Sequence, residues 1–277
     1  MNSSNDISDK VDRRKLLNAF SRLLSPLLNV IDFTRTKLGI KEKIVAMCDV
    51  LGFARLITEE ELYRTATRYE ILLNAVKSVS KTHIKYRGKK FTKRIEHVIF
   101  SDTILVWSDI DDLYLFYSFI KDIIPISLAS GLPLRVGIAA GKCYIKPSKN
   151  IYVGKPIVDA YLLEESQEWI GCAFHSSCHD LPDFHGKFQY DQPPWVVEYQ
   201  APVKTGSSFQ PRYSLDWMRE QRTHLNNASF KQRYLIEILE NQENERIKKK
   251  YENTVDFVDH CKRMMENYQS SDKRNEI

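Results

Sequence analysis

The sequence has no apolar run long and uninterrupted enough to cross a bilayer, no even cysteine framework and no large excess of charge. The first lack leaves no membrane partner to expect. The N-terminal stretch MNSSNDISDKVDRRK is polar and has no apolar segment suited to a signal peptide, so a soluble, cytoplasmic chain is expected. Cys48, Cys143, Cys172, Cys178 and Cys261 make an odd set, two of them in strand-like apolar runs, which fits reduced thiols. The formal charge of +5, from 41 basic and 36 acidic residues, is too mild for a nucleic-acid binder. It is compatible with a small polyanion such as a nucleoside triphosphate. Nothing repeats at a solenoid period.

What is present fits one sizeable core or two small domains: 277 residues, 43% hydrophobic and 28% charged. Apolar positions from Val11 to Leu28 recur near helical spacing and are broken by Pro26, which gives an N-terminal helical arm over 1–40. Ile44–Cys48 reads as a strand buried on both faces. Thr58 to Glu61 resembles a capping box opening a long helix with the stripe Leu62, Ala66, Tyr69, Leu72, Leu73, Val76 and Val79. Arg94–Phe100 and Thr103–Trp107 form a hairpin around Ser101 and Asp102. A helix follows up to Gly131 and Pro133. LRVGIAAGKCYI suggests two strands turning near Gly141, GKPIVDAYLLEESQEW a helix, and Val196–Tyr199 a last strand. After about Tyr213 the chain reads as charged and helical. Helices and strands alternate with a hairpin inside, so the expected fold is α/β (α+β), a ferredoxin-like βαββαβ core over 41–205 with a helical C-terminal extension over 206–277.

In that arrangement Asp49 ends the first strand and Asp102 sits at the hairpin tip, so both carboxylates can meet at one edge of the sheet. Asp49 can be a helix N-cap or a metal ligand, and Asp102 an ordinary turn residue or its partner. Paired carboxylates with open positions suit hard divalent cations, two of which can serve phosphoryl transfer. Behind Asp49, the amides of Leu51, Gly52 and Phe53 open a helix that can seat phosphate, with Gly52 permitting close approach.

CDVLGFARL, FSDTILVW, LRVGIAAGKCYI and YVGKPIVDAYLLEES resemble, in order and spacing, the catalytic domain of class III nucleotidyl cyclases over roughly Lys43–Trp169. GKPIVDAYLLEESQEW and WVVEYQAPVKTG, with Trp217 downstream, look like the bacterial Pycsar pyrimidine cyclases of anti-phage defence. The resemblance implies a metal-dependent cyclase that closes a ribose 3′-oxygen onto the α-phosphorus of a pyrimidine nucleoside triphosphate. UTP is favoured over CTP, and the cyclic monophosphate would act on a separate effector that senses it. It implies two Mn²⁺ or Mg²⁺ ions held by Asp49, Asp102 and the carbonyl of Val50. Arg135 would lie near the polyphosphate, and active sites would be completed in a homodimer.

Two departures stand out. Where purine cyclases carry an asparagine and a transition-state arginine, this chain has Val158 or Asp159, and Leu162, which leaves Lys142 or Lys155 as candidate replacements. The residue selecting a purine edge aligns near Val98 and Ile99, neither of which hydrogen-bonds a base edge. A catalytically degenerate regulatory module is therefore the alternative. No GG-[DE]-EF block is present, against a diguanylate-cyclase palm. HSSCH at His175–His179 fits no zinc spacing, and the basic run Arg87–Arg94 is expected as a solvated loop.

Overall fold

The computed structural model describes residues 39–86, 89–185, 194–219 and 230–275. The expected N-terminal helical arm lies outside the described residues. The chain divides into two units, Met1–Ile40 and Lys41–Ile277, and the second holds everything below.

β1 (Lys41–Val50) is apolar on both faces because it is central. β5 (Thr103–Asp109) flanks it on one side and β6 (Leu134–Lys146) on the other, both antiparallel. β4 (Glu96–Phe100) joins β5 in a hairpin, so the order β4-β5-β1-β6 is that of a ferredoxin-like core. The crossovers are α1 (Phe53–Glu59) with α2 (Leu62–Val79), and α3 (Leu113–Ala129). α4 (Lys155–Ser166) returns the chain to β8 (Gly171–Phe174), which is parallel to β6. Beyond it the sheet continues through β10 (Tyr213–Leu215) to β9 (Val196–Glu198), while β7 (Ile151–Gly154) pairs with the far half of β6. A 31-residue helix, α5 (Glu245–Asn275), closes the described chain.

Strand alternation sends Ile44, Ala46, Cys48 and Val50 to one face, where they join Leu72 and Val76 of α2 and Phe116, Phe119, Ile120 and Ile123 of α3 in the main core. Val45 goes to the other face with Leu105, Trp107 and Ala139, against Ala160 of α4. α4 lies unusually close to the sheet. A Cβ on Gly137 of β6 would sit 2.3 Å from the Ala160 carbonyl and 2.6 Å from the Glu164 amide.

Several local expectations are corrected. Thr58 does not cap a helix: it ends α1, with its hydroxyl donating toward the carbonyls of Ala54 and Arg55 at 3.1 and 3.0 Å, and Glu61 is the N-cap of α2. The chain does not turn at Gly141, because pairing with β1 carries β6 straight through it; the turn comes at Pro147–Asn150, where Asn150 takes φ 53°. Over its described part, Lys89–Arg94, the basic run is a strand rather than a loop. β2 (Lys81–Tyr86) and β3 (Lys89–Arg94) form a two-stranded sheet of their own. Tyr213–Leu215, expected to lie at the start of a helical tail, is a strand because it fills the gap between β8 and β9.

Gly137→Ala is expected to force α4 off the sheet and to cost about 1–3 kcal/mol, the range for overpacking. Urea denaturation of the two proteins measures it, and an unchanged midpoint would contradict the close approach of α4.

Candidate active site

Asp49 stands opposite Thr103 on β5 and Arg135 on β6, and Arg135 in turn stands opposite Gly171 on β8. The line Thr103–Asp49–Arg135–Gly171 therefore crosses four strands at one end of the sheet. Asp102 precedes Thr103 in the two-residue turn of the β4–β5 hairpin, where Ser101 takes φ 52°. The Asp102 carbonyl accepts the Val50 amide at 3.1 Å. The Ser101 carbonyl accepts the Tyr69 hydroxyl from α2, and the Tyr69 ring lies 5.5 Å from that of Phe53. The hairpin tip is thus tied to the end of β1 by a backbone bond and to α2 by a tyrosine. The structure brings Asp49, Val50 and Asp102 together.

After β1 the chain turns at Gly52, whose φ of 75° disfavours a side chain, and Phe53 opens α1. The Leu51 amide donates to the Pro133 carbonyl at 2.9 Å, so of the three expected phosphate-facing amides this one already has a protein acceptor.

Arg135 is directed inward. It is 8% exposed; Nε donates to Glu164 of α4, Nη1 to the Gln167 carbonyl at 3.0 Å, and Nη2 to Asp49 Oδ2 at 3.5 Å. Its guanidinium binds the carboxylates of β1 and α4 rather than pointing to solvent. Burial pushes the Asp49 carboxyl above its ordinary value; Arg135 pulls it back, and the like charge of Asp102 raises it again. Burial likewise raises Glu164 to about 7, against the pull of Arg135. A cation between Asp49 and Asp102 would relieve both the desolvation and the repulsion. The donor set there is two carboxylates and a backbone carbonyl, hard oxygen ligands of the kind Mg²⁺ and Mn²⁺ prefer. The residues therefore fit such ions.

Lys142 and Lys155 do not join this group within one chain. Lys142 stands opposite Glu42, seven residues along β6 from Arg135, or about 23 Å at strand rise. Lys155 opens α4 with its ammonium 2.6 and 2.7 Å from the Asp159 carboxylate, while Glu164 lies near the other end, about 14 Å along the helix. Val158 and Leu162 of α4 are 54% and 41% exposed. Val98 and Ile99 stand opposite Leu105 and Ile104 on the hairpin, half-buried. His175 Nδ1 accepts the Ser177 amide at 3.2 Å in a tight turn, and all five cysteines are free and buried. Among the described residues no group of three or more His, Cys, Asp or Glu side chains is placed to hold a metal, and no helix is long and apolar enough to cross a membrane.

Two participants are not evident from spacing. Glu164 lies among the apolar positions of its helix, and only the sheet reveals the arginine beneath it. Lys250 sits in the unremarkable run Lys248-Lys249-Lys250, and only the packing of α5 brings it near Asp49.

No protein-family model and no curated protein sequence matches the chain. Solved structures similar to it include a bacterial light-regulated adenylyl cyclase, with 13% identity and a TM-score of 0.42 over 64% of this chain and 91% of that one. The adenylyl cyclase CyaB from P. aeruginosa shares 17% identity with a TM-score of 0.42 over 64% and 94%. The guanylate cyclase domain of RhGC from Catenaria anguillulae, in complex with GTP, shares 15% identity with a TM-score of 0.43 over 63% and 96%.

The Glu164 environment gives a pH dependence. Its carboxyl is raised from 4.5 to about 7, so the folded chain holds an extra proton in that interval and stability falls as pH rises through it. In metal-free buffer the fall is expected to be on the order of 3 kcal/mol. Glu164→Gln should flatten it, as read by chemical denaturation at several pH values, and an unaltered slope in that variant would assign it elsewhere.

Proposed function

We propose that this chain is a nucleotidyl cyclase that converts a pyrimidine nucleoside triphosphate, UTP ahead of CTP, into its 3′,5′-cyclic monophosphate and pyrophosphate. The product would serve as a second messenger in cytoplasmic anti-phage defence, read by a separate effector protein. The observation that carries the chemistry is the meeting of Asp49 and Asp102 at one edge of the βαββαβ sheet, beside the Val50 carbonyl and the Gly52 turn. The pyrimidine preference rests on Val98 and Ile99, which lack purine-edge hydrogen bonds, and on the motif resemblance; the defence role rests on the resemblance alone.

In this reading 41–205 holds the catalytic core, 1–40 is an arm, and 206–277 is an extension that also lends β10 to the sheet. Asp49, Asp102 and the Val50 carbonyl would hold two Mn²⁺ or Mg²⁺ ions. When bound, the ions supply a lowered pKa at the ribose 3′-hydroxyl and countercharge for the departing pyrophosphate. Gly52 lets the polyphosphate approach the backbone, with the Gly52 and Phe53 amides facing it. Arg135 acts on the phosphates through Asp49, whose carboxylate it orients. The 3′-oxygen attacks the α-phosphorus in line, one P–O bond forms as the bond to pyrophosphate breaks, and the hydroxyl proton leaves to solvent.

A homodimer completes the site. Phe100, Val158, Tyr161 and Leu162 are 41–54% exposed along the sheet face and the helix α4, a patch suited to a second copy. Lys142 and Lys155, remote from Asp49 in their own chain, would reach a site only across that interface. A second reading, a cyclase-like regulatory module without catalysis, is favoured by the apolar Leu162 in place of the transition-state arginine.

The two readings separate when purified protein is incubated with all four ribonucleoside triphosphates and Mn²⁺ and the products are resolved by mass spectrometry. A cyclic pyrimidine monophosphate is expected, reduced more than about 100-fold in Asp49→Asn and Asp102→Asn, beyond the loss for an outer-shell partner. Folded, dimeric protein that makes no cyclic product would establish the regulatory module instead.

A further inference from the structure

α5 is held against the end of the sheet that carries Asp49. The Thr254 hydroxyl accepts the Ile170 amide at 2.9 Å, the Asn253 amide donates to the Glu168 carbonyl at 2.7 Å, and the Phe257 ring packs 4.8 Å from that of Trp169. Ile170 immediately precedes Gly171, which shares the cross-strand line with Arg135 and Asp49. One helical turn before Thr254 is Lys250, whose carbonyl accepts the Thr254 hydroxyl at 2.7 Å. Lys250 is half-buried and lines a cavity of about 170 Å³ together with Leu51, Gly52, Arg55, Ile170 and Tyr251. A lysine from the far C-terminal helix and the glycine turn behind Asp49 thus share one wall.

Among the described residues two cations line that cavity, Lys250 and Arg55, and Arg55 is paired with Glu59 at 2.6 Å. Burial lowers the Lys250 ammonium, and the positive charges of Arg135, Arg246 and Lys204 lower it further, with Glu168 opposing. Lys204 is brought there by its amide, which donates to the Ser166 carbonyl at 2.8 Å, one residue before the carbonyl that receives Arg135. A half-buried ammonium with further cations nearby is unfavourable unless an anion comes to it. We propose that Lys250 of α5 is a substrate-binding residue that contacts the terminal phosphates of the nucleoside triphosphate from within the same chain, which makes the C-terminal helix a wall of the active site. This deepens the cyclase reading and rests on it. An NTP whose α-phosphate lies at Asp49 and Asp102 extends its β- and γ-phosphates past Gly52 into the cavity that Lys250 lines.

The test measures binding rather than turnover. Inorganic tripolyphosphate is titrated calorimetrically, with Mn²⁺, into the full chain, Lys250→Met, Lys250→Arg and the control Lys249→Met. Lys249 is 62% exposed and lies 3.5 Å from Glu252. Expected is affinity roughly tenfold or more weaker in Lys250→Met, the scale of one lost charge-assisted contact, restored in part by Lys250→Arg and unchanged in Lys249→Met, with melting temperatures alike. Equal affinity of the wild type and Lys250→Met overturns the role of Lys250 and leaves the cyclase reading standing. A wild-type chain that binds neither tripolyphosphate nor any nucleoside triphosphate overturns both.

Discussion

Everything at the Asp49 end of the sheet depends on one buried guanidinium. Arg135 enters from β6, meets Glu164 from α4 on one side and Asp49 from β1 on the other, and fixes the Gln167 carbonyl where α4 ends. A buried charge of this kind is tolerated only with partners, and removing one member of such a set typically costs about 3–5 kcal/mol. The requirement dictates much of the surrounding structure. Glu164 reaches the arginine only because α4 lies almost on the backbone of β6, and it lies there only because residue 137 is glycine. The same arginine holds Asp49 in place at the sheet edge, where the carboxylate of Asp102 comes to meet it.

The two faces of the sheet are covered unequally. Helices α2 and α3 bury one face under a continuous aromatic and aliphatic core, whereas α4 covers only part of the other. The remainder of that second face carries partly buried apolar side chains, Met47, Val98, Ile145 and Tyr152, and an antiparallel sheet with one solvated face ordinarily alternates polar residues there. Phe100 breaks that pattern next to the Ser101–Asp102 turn, and Val158, Tyr161 and Leu162 extend it onto α4. The asymmetry gives the homodimer proposal a physical motive, since burial of those side chains would be favourable by about 25 cal/mol for each Å² of apolar surface removed from water.

The core of the fold was readable in the sequence where hydrophobic pattern alone decides the outcome. The unbroken run at Ile44–Cys48 indicated a central strand, and the pair of runs around Ser101 and Asp102 indicated a hairpin, because neither requires knowledge of a distant partner. The misread elements are those whose state is settled by neighbours far along the chain. Lys89–Arg94 carries too much charge to look like a strand and becomes one by pairing with β2; Tyr213–Leu215 does so by entering a gap between β8 and β9. Gly141 looks like a turn, yet β1 runs beside it and keeps it extended. At the site, the aspartates could be named from their positions at strand ends. The orientation of Arg135 could not, since its partner Glu164 is 29 residues away on another element.

The two hairpins differ in how freely they can drift. β2 and β3 form a sheet of their own, so a shift in their pairing leaves the register of the other strands in place. The β4–β5 turn has no such latitude. Its tip is fixed by the Val50 amide and the Tyr69 hydroxyl, and one inserted residue would swing Asp102 away from Asp49. A change of length in the second hairpin would therefore cost the pairing of the two aspartates, whatever side chains its turn carries.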